Sequence, residues 1–222
     1  MTPEIPDDVR AGQAFYTPRS LSFYDLGVLG VSNAWIWRCP TPAILKLFNE
    51  HVSCSHLDVG VGTGFYLDRG RFPCASPRVA LMDLNESALE FTRQRIKRYQ
   101  PEVYVRNVLE PLSIDGAPFD SVSLNYLLHC VPGDLRAKAV VFDHAKALMN
   151  PGAVCFGSTL LHKGVKRGWT ARKLMGFYNR KGIFSNHQDS LDDFTEEFSR
   201  RFQMITLKTV GCAVLFAGRR KD

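Results

Sequence analysis

The sequence has no apolar stretch near the roughly 18 residues that a membrane-spanning helix needs, and no run of five or six like charges. The first absence removes a spanning helix from consideration. The second removes the charged tails that bind nucleic acid by field alone. There is no internal repeat and no low-complexity segment, so a solenoid or a fibre is not expected. Met1 to Arg10 carries Pro3, Pro6, Asp7 and Asp8 but neither a basic nor an apolar signal region, so no secretory leader is expected. The six cysteines, at 39, 54, 74, 130, 155 and 212, form no C-x-x-C and no Cys/His spacing of the zinc type. They read as reduced thiols of a cytoplasmic protein, with Cys155 and Cys212 acting as small hydrophobes in strand-like runs. No metal site is expected.

What is present is a globular composition: 222 residues, 45% hydrophobic and 23% charged. The formal charge of +6 permits an anionic partner without demanding one. Short β-like runs alternate with amphipathic helical runs, the pattern of a parallel α/β sheet. Strands are expected at His56 to Gly60, Arg78 to Asp83, Val103 to Val105, Phe119 to Asn125 and Val154 to Thr159. Thr41-Pro42, Asn85 and Ser190 with Asp193 read as helix starts. Asn150-Pro151-Gly152 reads as a helix stop. Gln203 to Lys208 and Gly211 to Ala217 lie too close for a crossover helix, so they must pair antiparallel. The expectation is one α/β domain over residues 1–222, with a seven-stranded, mostly parallel sheet ending in an antiparallel hairpin and helices on both faces.

The run Asp58-Val59-Gly60-Val61-Gly62-Thr63-Gly64 carries the chemistry. A strand runs into a turn with glycine at alternate positions, and a helix starts near Phe65. Glycine permits the positive φ of such a turn and lets a ligand touch backbone, while the first helical N–H groups point at the ligand. Asp83 closes the next strand, where a carboxylate can accept both hydroxyls of a ribose. Turn and acid together point to a nucleoside cofactor at the carboxyl ends of the strands. A dinucleotide fingerprint would place glycine at position 65, which is Phe here, and a closing antiparallel hairpin is foreign to that fold. An NAD-dependent oxidoreductase is disfavoured on both grounds.

At these residues the chain resembles the class I S-adenosylmethionine-dependent methyltransferases, by element order roughly from Leu45 to Gly218. The resemblance implies a Rossmann-like fold and S-adenosylmethionine as cofactor, released as S-adenosylhomocysteine. It implies that Asp58, Gly60 and Gly62 meet the methionine end, Asp83 the ribose and Leu84 the adenine. Asn107, with Val108, stands where the family often has an acid for the adenine amino group. Asn125 would face the methionine amino group through backbone, with Tyr126 and His129 as catalytic candidates facing the acceptor. The run Asn125-Tyr126-Leu127-Leu128 has no proline, unlike the Asn/Asp-Pro-Pro-Tyr of enzymes that methylate exocyclic amines.

Methyl transfer from a sulfonium needs in-line alignment and exclusion of water, so the cap over the donor should be aromatic. Two segments qualify. Residues 1–40 offer Phe15, Tyr16, Phe23, Tyr24, Trp35 and Trp37, and an insertion over 160–190 offers Trp169, Met175, Phe177, Tyr178 and Phe184. Tyr16, Tyr24, Trp37 and His162 are the substrate-facing candidates. His51, His56 and His144 read as ordinary surface or boundary residues. The basic run Lys163, Lys166, Arg167, Arg172, Lys173, Arg180 and Lys181 reads as a solvated helix face, diluted by Asp189, Asp192, Asp193, Glu196 and Glu197. The expected function is methyl transfer to O, N, S or C of a small-molecule partner. The alternatives are an RNA methyltransferase and a non-catalytic adenosyl-ligand binder, and oligomeric state is left open.

Overall fold

A computed structural model describes residues 25–114 and 116–221. Tyr16 and Tyr24, like Phe15 and Phe23, lie outside the described residues. A π-helical segment, Asp25–Ile36, leads into α1 (Thr41–His51), β1 (Ser55–Val59), α2 (Phe65–Arg69), β2 (Arg78–Asp83) and α3 (Glu86–Arg95). Then follow β3 (Glu102–Val105), β4 (Phe119–Asn125), α4 (Leu135–Lys138), α5 (Val140–Ala147) and β5 (Met149–Leu160). The chain continues with α6 (Trp169–Arg180), α7 (Leu191–Arg201), β6 (Phe202–Val210) and β7 (Ala213–Arg220).

The strands form one seven-stranded sheet in the order β3-β2-β1-β4-β5-β7-β6. β1 to β5 run parallel, and β7 is antiparallel to both β5 and β6. The strand order reverses between β1 and β4, and ligands of open α/β sheets bind where such a reversal opens a crevice at the strands' carboxyl ends.

Alternation along the strands divides the core in two. Leu57, Val59, Ala80, Met82, Val122 and Leu124 pack with Phe142 of α5 and Phe194 and Phe198 of α7. Val79, Leu81, Phe156 and Leu215 pack with Ile44 and Phe48 of α1, Leu89 of α3 and Met175 of α6. Helices therefore cover both faces. Two caps follow the sequence reading: Asn85 accepts the amide of Ala88, and Ser190 that of Asp193. Thr41 does not cap α1: the helix already includes it, Pro40 stands at the cap position, and no side chain caps the first turn. Asn150-Pro151-Gly152, read as the stop of this helix, lies beyond it: α5 ends at Ala147 and β5 already begins at Met149. The turn sits inside that strand as an irregularity, visible as a register shift between Phe119 and Ser121 of β4.

Two expectations are corrected. Cys54 and Cys74 are joined in a disulfide, not held as reduced thiols. The loop after α2 folds back on the start of β1 and brings the two Cα atoms to 5.9 Å, within bridging distance. His56 is no boundary residue: it is fully buried in the centre of the sheet.

Candidate active site

The glycine turn between β1 and α2 is built by three left-handed residues, with φ of +75° at Gly60, +52° at Gly62 and +68° at Gly64. A Cβ on Gly64 would meet Thr92 Cγ2 at 2.6 Å, so the turn can lie on α3 only without a side chain there. From α3, the Thr92 hydroxyl donates to the carbonyl of Gly62 and Arg95 to that of Thr63. A Cβ on Gly62 would meet nothing within 4 Å, so the turn is open on the side away from α3.

Asp83, at the end of β2, locks the turn from the other side. Its carboxylate accepts the amides of Val61 and Asn85, each at 2.9 Å. Burial lifts its pKa above the usual carboxylate value, against the backbone amides of Asn85, Val61, Leu84 and Gly62. Asp58, in β1, is 6% exposed and is pushed up to about 7 by burial, with the charge of Asp83 adding to the rise and a hydrogen bond from the Ser123 hydroxyl opposing it.

These residues line one cleft at the carboxyl ends of the strands. Asp58, Gly60, Gly62, Asp83, Leu84, Asn107, Val108, Asn125 and Tyr126 are all on its wall. The cleft also takes in Leu127, from the run that follows β4, and Tyr66, Arg106 and Cys130, to which sequence reasoning gave no role at the site. No spacing in the sequence marks those three. The Asn107 carbonyl accepts the amide of Leu109, and His144 of α5 holds the backbone of the same loop through the Val108 carbonyl at 2.8 Å. Burial pushes the Cys130 thiol up to about 12, which leaves it unreactive.

Tyr126 follows β4 with φ of +55°, a left-handed conformation that is strained for an aromatic residue and is held by its amide bonding the Ser158 carbonyl at 2.7 Å. Beside it, Asn125 has a buried amide nitrogen with no hydrogen-bond partner, while its carbonyl accepts from Ser158. An orphaned donor on a cleft wall is satisfied by a ligand acceptor. The open face of Gly62, the unpartnered Asn125 donor and the two carboxyls fit a ligand that carries a ribose, a carboxylate and an ammonium group together.

His129 and Trp37 are placed differently. His129 is 4% exposed and lies behind the wall. Its Nδ1 faces the Thr159 hydroxyl at 3.3 Å and takes the Leu160 amide at 3.4 Å, which assigns the proton to Nε2. Burial and the charge of Lys138 lower its pKa to about 3. Trp37 is buried against Phe184 (6.0 Å), Phe184 against His129 (4.5 Å) and His129 against Tyr126 (5.5 Å). This file of rings joins the N-terminal segment, the insertion and the end of β4. His162 is half-buried after β5, away from the cleft wall, and its pKa is lowered by burial and by Arg167, His187 and Lys163.

Behind the rings, Lys138 and Asp189 form an ion pair of 2.7 Å with both side chains fully buried. The Lys138 ammonium also donates to the Ser185 carbonyl. The acids expected to dilute the basic run are committed elsewhere: Asp189 to Lys138, Asp193 to Arg136, and Glu197 to Arg200 and Arg201.

The profile of a family described as "Methyltransferase domain" matches residues 57–155, the span from β1 to β5. Demethylluteothin O-methyltransferase of Streptomyces thioluteus is 38% identical over 218 residues, covering 98% of this chain and 95% of that protein. The chain belongs to the class I S-adenosylmethionine-dependent methyltransferases. N-methyltransferase vrtF of Penicillium aethiopicum is 37% identical over 186 residues, covering 83% of this chain and 77% of that protein. Among solved structures, geranyl diphosphate methyltransferase superimposes with a TM-score of 0.68 at 16% identity, covering 99% of this chain and all of that one. At that identity the match speaks for the methyltransferase fold alone.

Proposed function

We propose that this methyltransferase acts on a small organic acceptor and that a hydroxyl oxygen takes the methyl group. The cleft that joins the glycine turn, Asp83 and Asn125 carries the reading. S-adenosylmethionine bound there supplies an electrophilic methyl on a sulfonium. Asp83 would hold the ribose hydroxyls, and the Asn125 amide and Asp58 the methionine end. Leu84 and Val108 would lie against the adenine, with Asn107 at its rim. Gly60 and Gly62 let the ligand approach backbone.

Tyr126 stands where β4 opens into the cleft and would align the acceptor. His129 would act by position. A buried imidazole with Nδ1 already accepting an amide and a pKa near 3 takes no proton at neutral pH. It fixes Tyr126 and Phe184 in register. Residues 1–40 and 160–190 would close the acceptor pocket, a reading supported by Trp37 packing on Phe184. In it, Tyr16, Tyr24 and His162 belong to the acceptor side. A hydroxyl acceptor is supported by the O-methyltransferase relative that matches over nearly the whole chain.

The test is transfer of labelled methyl from S-adenosylmethionine into a panel of hydroxylated aromatic and heteroaromatic compounds, with bulk RNA alongside. Label in an ether product supports the reading. Label in RNA, or binding without transfer to any member of the panel, overturns it.

A further inference from the structure

Parallel strands buried on both faces are normally continuous in apolar residues. The two central strands here break that rule on one face. β1 sets His56, Leu57 and Asp58 beside β4, with His56 opposite Ser121 and Asp58 opposite Ser123. His56, Ser121 and Ser123 have no exposure and Asp58 only 6%, so a four-membered polar ladder lies inside the sheet. The ladder is continuously hydrogen-bonded. Ser53, half-buried where the chain approaches β1, sits 2.8 Å from the Ser121 hydroxyl. Ser121 lies 2.8 Å from His56 Nδ1, His56 Nε2 lies 3.1 Å from the Ser123 hydroxyl, and Ser123 contacts Asp58 Oδ1. Ser53 Oγ donates to the Ser55 carbonyl and ends the chain. One end is thus near solvent and the other is on the cofactor cleft.

Hydroxyls and an imidazole admit two complete orders of donation. With Asp58 neutral, its O–H donates to Ser123, Ser123 to His56 Nε2, His56 Nδ1–H to Ser121, and Ser121 to Ser53. With Asp58 ionised, every direction reverses. Ser123 donates to the carboxylate, His56 Nε2–H to Ser123, Ser121 to His56 Nδ1, and Ser53 turns from the Ser55 carbonyl to donate to Ser121. The second order holds one proton fewer. That proton leaves through Ser121 and Ser53 to water, and the imidazole stays neutral throughout while its N–H moves from Nδ1 to Nε2.

We infer that His56 is a positioning residue for the methyl donor: its tautomer switches when the ammonium group of the bound ligand ionises Asp58, and the ladder carries the displaced proton to the far end of β1. The inference rests on S-adenosylmethionine occupying the cleft beside Asp58. Burial holds the imidazole neutral, with a pKa near 3, so a tautomer change is open to it where a charge change is not. The groups around the ladder leave this freedom intact. Asp83 of β2 is the charge acting on Asp58. His56 is flanked by the rings of Phe48 from α1 (5.4 Å), Phe156 from β5 (5.8 Å) and Phe72 from the loop after α2 (6.1 Å). His51 of α1 packs on Phe156, and its own pKa is lowered by burial.

The experiment uses the intact chain with S-adenosylhomocysteine, which carries the ammonium group and does not turn over. Ring nitrogen shifts of 15N-labelled histidine at pH 6 should show His56 moving from the Nδ1–H to the Nε2–H form on saturation. Calorimetry in buffers of different ionisation enthalpy should count about one proton released. His56→Leu should move the pH midpoint of binding up by about one unit, weakening binding about tenfold at pH 6. His56→Gln keeps a donor toward Ser123 and should stay near the parent. A tautomer unchanged on saturation, or His56→Leu superposing on the parent curve, overturns the inference. Failure of the parent protein to bind at any pH overturns the cofactor assignment, and the inference with it.

Discussion

Asp83 and Gly62 have different proposed roles toward the ligand, and substitution should separate them. Asp83 clamps Val61 and Asn85 while facing the cleft. Asp83→Ala removes both the proposed ribose acceptor and the clamp. It should weaken S-adenosylmethionine and S-adenosylhomocysteine alike by at least tenfold, about 1.4 kcal/mol, in calorimetric titration. Gly62 has a positive φ and open space above it. Gly62→Ala strains the backbone by about 1 kcal/mol and places a methyl in that space. A loss of affinity larger than the loss of thermal stability is the expected outcome. The glycine turn and Asp83 were both legible in the sequence, because each lies in one short segment whose chemistry is local. His56 was not. Its burial is set by Ser121 and Ser123, two strands' worth of chain away, and nothing in Ser-His-Leu-Asp-Val announces which strand will lie alongside.

Among the elements, α7 illustrates what periodicity does reveal. Its apolar residues Phe194 and Phe198 were readable as an inward stripe, and Ser190 as its cap. Their partners were not readable: Phe194 and Phe198 pack on Phe142, Phe202 and Phe216 at centroid distances of 4.9 to 5.9 Å, from α5, β6 and β7. Phe198→Ala should lower stability by about 3–5 kcal/mol in denaturant melts, with cofactor affinity at the cleft unchanged where the protein remains folded. The disulfide belongs to this scale too. Cys54 and Cys74 carry no motif, and only the fold-back of the loop after α2 brings them together. Under a reductant, the loss of this link should lower the melting temperature, with about 3 kcal/mol expected for closure of a loop of this length. Cys54→Ser should melt at that lower temperature with or without reductant.

For the molecule as a whole, buried acids and imidazoles with opposed shifts shape the response to pH. Asp58, raised to about 7, and Asp83, also raised, contribute stability that is full below the unfolded value near 3.8 and is lost as pH rises through their folded values. His56 and His129 are lowered to about 3, so their contribution is lost as pH falls below 6.5. Between about pH 4 and 6 the two sets therefore pull stability in opposite directions. Asp58→Asn removes one of the acids, so the slope of stability against pH should become more positive than the parent's by up to about 1.4 kcal/mol per unit across that window. Urea midpoints of parent and variant at pH 4.5 and 5.5 test the difference. The mostly parallel sheet and its closing hairpin were foreseeable at this scale, from alternation and from the short link before β7, whereas the order of the strands was not read from the sequence. The aromatic file from Trp37 to Tyr126 was not foreseeable, since it draws its rings from three distant segments.

The Lys138–Asp189 pair has a bearing on substrate range. Separating two desolvated charges costs about 3–5 kcal/mol. A departure of the 185–189 corner that leaves Lys138 behind is therefore visited by fewer than about one molecule in a hundred. The rim of rings is riveted rather than hinged. An oversized congener will find no induced widening on that flank, and tolerance toward bulkier molecules must be engineered by trimming Phe184 or Tyr178 instead of by loosening the loop.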